Sequence, residues 1–131
     1  QLAARRARFR QQVEAFGSMT DAELLAKGRA DAPGWSDQDF PAWVAAKRQV
    51  DPEAFPTYLA PWQAEIGGIQ APTLLVHGEP RLGSLMTPEV LEDVRAHVPQ
   101  VETALIPGAG HNVRRENFDD YLAAVRTFLL D

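Results

Sequence analysis

His111 is the residue best placed to do chemistry. It closes the run Leu105-Ile106-Pro107-Gly108-Ala109-Gly110-His111-Asn112, in which a predicted strand passes into a Gly-rich turn. Open α/β sheets build their sites at the carboxyl ends of strands. The turn's glycines reach backbone angles closed to other residues, so the imidazole can be aimed without strain. Such a histidine suits proton transfer as a general base. A nucleophile for it to serve is not evident: there is no cysteine, and the serines are Ser18, Ser36 and Ser84. The other two histidines read differently. His77 stands at the end of an apolar run and is expected to be a satisfied core residue, and His97 sits where a helix should end, beside the negative helix terminus. The spacings of the three match no metal-ligand motif, so neither a metal nor a cofactor is expected.

The elements that position His111 lie in the second half of the chain. Ala71-Pro72-Thr73-Leu74-Leu75-Val76-His77-Gly78 is a short apolar run closed by glycine. It does not alternate, which predicts a strand buried on both faces, as in parallel sheets. Thr87-Pro88-Glu89 opens a helix with a Thr cap, Pro at its first position and an acid near the positive end. Val90, Leu91, Val94 and Val98 form its apolar stripe, and Pro99 ends it. Val101–Ile106 is the second strand, and Asn117 caps a last helix whose Phe118, Tyr121, Leu122, Val125, Phe128 and Leu129 share one face. Strand, helix, strand, helix means parallel strands with a right-handed crossover. Two doubly buried parallel strands do not make a stable sheet. The sheet is therefore expected to be incomplete in this chain, with the missing strands upstream of Gln1.

Residues 1–66 predict helices joined by loops bearing Pro and Gly. The first covers about 3–16 and ends near Gly17. Thr20-Asp21-Ala22-Glu23 has the capping-box spacing, and the helix it opens should stop at Gly28. Ser36-Asp37-Gln38-Asp39 starts a helix carrying Phe40, Trp43, Val44 and Lys47. Asp51-Pro52-Glu53 starts another, with Asp51 as N-cap. Trp35, Phe40, Trp43, Phe55, Tyr58 and Trp62 make this half aromatic. Helix packing explains each of them. A sharper reading has one or two, Trp43 among them, lining an apolar acyl or ring pocket. Leu85, Met86 and Val113 are pocket candidates on the same footing.

In this pattern residues 70–131 resemble the C-terminal part of an α/β-hydrolase. Ala71–Glu79 looks like the family's penultimate core strand and acid loop. Ile106-Pro107-Gly108-Ala109-Gly110-His111 looks like the last core strand and histidine loop. The resemblance implies an α/β fold. Residues 1–66 would be a helical cap and 67–131 the end of the hydrolase core. It implies His111 as the base of a nucleophile-His-acid triad acting on a small ester, lactone or similar bond. The elbow motif Gly-x-Ser-x-Gly is absent, and Gly34-Trp35-Ser36-Asp37-Gln38 lacks its closing glycine and follows no strand. The nucleophile is accordingly expected on an N-terminal segment of the same enzyme. The family often has Asp three residues after the strand-ending glycine. Arg81 holds that place here, which leaves Glu79, directly after Gly78, as the candidate acid.

Composition bounds the partners. A net charge of −5 over 131 residues disfavours nucleic acid, and no apolar run is long enough to span a membrane. The lack of cysteine fits a reducing cytoplasm. A small-molecule substrate is expected. Two other readings stand beside the enzyme: a non-catalytic, truncated hydrolase-like module acting in binding, and an interaction protein using Arg5, Arg6, Arg8 and Arg10 of the first helix.

Overall fold

The computed structural model describes residues 2–55 and 61–130; Tyr58, one of the aromatic candidates, lies outside them. The chain divides into two compact units, Gln1–Leu59 and Ala60–Asp131.

The first unit is helical. It holds α1 (Leu2–Ser18), α2 (Asp21–Asp31) and α3 (Phe40–Gln49). The capping box forms as its spacing predicts: the Thr20 hydroxyl accepts from Glu23 N–H, and the Glu23 carboxylate accepts from Thr20 N–H at 2.7 Å. The helix does not stop at Gly28. It runs on to Asp31 because Gly28 is a packing glycine, whose missing side chain leaves room for the rings of Trp43 and Phe40. Phe16, Leu24 and Val44 form the core, with Met19, Leu25 and Trp43 packed against it. Arg48 of α3 ties the three helices together. It donates to the carbonyls of Phe16 and Met19, at 3.1 and 2.5 Å, and pairs with Asp21 at 2.8 Å. The helix expected from Asp51 is instead a local turn over the described residues 51–55. The Asp51 carboxylate accepts from Glu53 N–H at 2.8 Å, and its carbonyl accepts from Ala54 N–H. That side-chain bond offers the backbone an alternative to helix. Arg6 and Arg10 of the basic first helix both pair with Glu53.

The second unit is α/β. Its elements are α4 (Trp62–Ile66), β1 (Thr73–His77), α5 (Pro88–His97), β2 (Val101–Leu105), α6 (Val113–Glu116) and α7 (Phe118–Leu130), with a single 3₁₀ turn at Pro80–Leu82. The strands pair in parallel, from Thr73 opposite Val101 to His77 opposite Leu105. Thr87 caps α5 by accepting from Val90 N–H, and Asn117 caps α7 by accepting from Asp120 N–H. α4, assigned from sequence to the first region, groups with this unit. The strands are half-buried rather than covered on both faces, because no further strand flanks them among the described residues. Burial concentrates where the strands end, at His77, Ile106 and Ala109.

Candidate active site

The in-register ladder brings the two strand ends side by side, and the bonding continues past them. Ile106 N–H donates to His77 O at 2.8 Å, and Glu79 N–H donates to Ala109 O at 2.7 Å. The two loops then meet backbone against backbone. A side chain at Gly78 would run into the carbonyl oxygens of Ala109 and Gly110, and one at Gly110 would run into that of Leu82. Gly108 turns the chain with φ of 72°, in the left-handed region that favours glycine.

Two carboxylates pin the histidine turn. Glu79 accepts from Gly108 N–H at 2.8 Å through Oε1, and from Arg81 Nε at 2.5 Å through Oε2. These contacts, the Gly108 N–H first, hold its carboxyl below the usual carboxylate range. Glu116 of α6 accepts from Gly110 N–H at 2.5 Å. Asn117 adds a third tie by donating to Pro107 O at 3.0 Å. The turn that delivers His111 is thus held at Pro107, Gly108 and Gly110, on either side of Ala109.

His111 itself is exposed. It borders a cavity of about 430 Å³ together with Asn112, Val113, Arg114, Arg115 and Tyr121. Among the described residues no hydrogen bond joins its imidazole to Glu79; both Glu79 oxygens are engaged elsewhere. The other histidines behave as the sequence suggests. His77 is 8% exposed and its Nδ1 lies 3.1 Å from Gly78 O. His97 ends α5, with Nδ1 2.8 Å from Asp93 O.

The substrate-binding candidates do not converge. Val113 shares the cavity with His111. Leu85 and Met86 line a different, apolar cavity of about 460 Å³, walled by Trp62, Leu75, Val94 and Val101. Trp43 belongs to the core of the helical unit, edge-on to Phe16 with ring centroids 6.0 Å apart. Sequence reading missed Glu116 and α6. No motif links an acid to a backbone N–H six residues earlier; Asn112, a cap-type residue ahead of Val113, was the only available sign of a helix there. No cluster of residues able to hold a metal occurs among the described residues, and none of their helices is long and apolar enough to cross a membrane.

No family model and no curated protein matches the chain. Among solved structures, it is similar to an N-formylmaleamic acid deformylase, Nfo, from Pseudomonas putida. The likeness has a TM-score of 0.58 and 17% identity, over 92% of this chain and 46% of that one. The chain thus spans about half the length of the structure it matches, and the likeness is one of fold. The α/β class with a parallel strand pair agrees with that likeness of fold.

Proposed function

We propose that the chain is the histidine-bearing part of an α/β-hydrolase, acting on a small ester, lactone or related acyl bond. The observation that carries the reading is the placement of His111. It is an exposed imidazole at a parallel-strand carboxyl end, on a turn pinned by Glu79, Glu116 and Asn117, beside a cavity of about 430 Å³. A turn held this way keeps the His111 backbone near one position, which limits where the ring can reach, and general-base catalysis depends on such positioning. The fold likeness to a protein named as a deformylase adds support for acyl hydrolysis.

In this reading His111 takes the hydroxyl proton as a nucleophile attacks the acyl carbon, then returns it to the departing group. The nucleophile comes from an upstream segment of the same enzyme. Glu79 is the acid of the site. It fixes the turn through Gly108, and its two oxygens are engaged by the Gly108 N–H and Arg81 rather than by the imidazole. The engagement of Glu79 with Arg81 favours the second reading, a non-catalytic module of the same fold. Hydrolysis of a panel of short-chain esters and lactones by the whole protein separates the two. His111→Ala should lose several orders of magnitude in kcat with the fold intact, whereas His77→Ala should cost stability first. Full turnover by the His111 variant would refute the enzyme reading.

A further inference from the structure

The cavity beside His111 differs in character from the apolar one at Leu85 and Met86. Among the described residues its wall carries Arg114, Arg115, Asn112 and Tyr121, and no carboxylate. Among the described residues the Arg114 guanidinium makes no ion pair, and neither the Asn112 amide nor the Tyr121 hydroxyl makes a hydrogen bond. The carboxylate nearest in sequence, Glu116, is turned to the Gly110 N–H instead of the cavity. Positive charge and unspent donors therefore face one space, next to the imidazole.

We propose that this cavity binds the negatively charged end of the substrate, and that the group is a carboxylate held by Arg114. The inference rests on His111 being the catalytic base and adds the substrate class: acyl compounds that carry a free acid. A guanidinium presents parallel N–H donors that match the two oxygens of a carboxylate. Tyr121 and Asn112 supply neutral donors that fix its orientation. With Arg114 three residues from His111, a bound acid and the base share one wall. A chain joining acid and acyl carbon then has to be short. Val76 and Val113 complete the lining and suit its methylenes.

The test uses a pair that differs by one methyl group and one negative charge, monomethyl succinate and dimethyl succinate, with the whole protein. Binding is followed by calorimetry in the His111→Ala background, so that no turnover intervenes. The half-ester should bind at least tenfold more tightly than the diester. Arg114→Gln should erase most of that ratio, and Arg114→Lys should restore part of it. Arg5→Gln, which removes a charge in the helical unit, should leave the ratio alone. Equal affinity for the two esters, or an unchanged ratio in Arg114→Gln, would overturn the proposal. Tighter binding of methyl phosphate than of the half-ester would overturn the choice of carboxylate. Turnover is measured separately. Selective binding with no hydrolysis by the wild type would leave the anion site standing and remove the catalytic reading. Hydrolysis without charge preference would do the reverse.

Discussion

Gly78→Ala places one methyl group where the two loops touch. The added carbon would strike the carbonyl oxygens of Ala109 and Gly110. Both are backbone atoms of a turn pinned on either side, so neither can swing away as a side-chain tip would. Overpacking costs about 1–3 kcal/mol in general, and rigid neighbours put this case in the upper half. For a protein larger than this chain each kcal/mol lowers Tm by about 2–4 °C, which gives a drop of roughly 5–10 °C. The strain also displaces the turn that carries His111, and a displacement of about 1 Å in a catalytic group can cost about 100-fold in rate. Differential scanning calorimetry of the whole protein measures the first effect and ester hydrolysis the second. Gly17→Ala is the control. It lies in α1 with nothing within 4 Å of the added carbon, so it should raise stability, by no more than about 1 kcal/mol. A Gly78→Ala protein melting within a few degrees of wild type would refute the backbone contact on which the site's geometry depends.

Two further outcomes follow from the pinned turn. The Glu79 carboxyl is held low, so its contribution to stability is complete above the ordinary carboxylate value and is lost as the pH falls through the lowered one. The stability advantage of wild type over Glu79→Gln should therefore shrink as the pH falls below the ordinary carboxylate value in acid-dependent melts, and a difference independent of pH would contradict the assignment. Glu116→Ala should speed hydrogen exchange of the Gly110 amide, read by NMR, with Glu116→Gln intermediate because its carbonyl can still accept; unchanged exchange in both would remove Glu116 from the account.

Much of this was legible in the residues because the signals were local. Thr20 with Glu23, Thr87 with Pro88, and Asn117 ahead of Asp119 and Asp120 are caps whose chemistry is complete within a few positions. The apolar run at Thr73 and the short segment at Val101 defined the strands, and their order defined the parallel pair. What failed depended on partners far along the chain. Gly28 has the composition of a helix stop, yet Trp43 and Phe40 make it a contact point inside a helix. Asp51 has the composition of a cap, yet its carboxylate closes a turn. Leu85, Met86 and Val113 flank the same two loops in sequence, but β1 and α5 turn the first two into an apolar cavity of their own. Glu116 acts through a backbone N–H, and backbone contacts leave no mark in side-chain patterns.

The central claim is that His111, rather than either other histidine, carries the chemistry. Timed carbethoxylation with diethyl pyrocarbonate, with peptide mass spectrometry at each point, tests it most directly. His111 is exposed and its imidazole makes no hydrogen bond among the described residues, whereas His77 is 8% exposed and His97 is bonded to Asp93. The account predicts that His111 reacts first and that hydrolytic activity falls in proportion to its modification alone. Activity that survives complete modification of His111, or whose loss follows His97 or His77 instead, would contradict it.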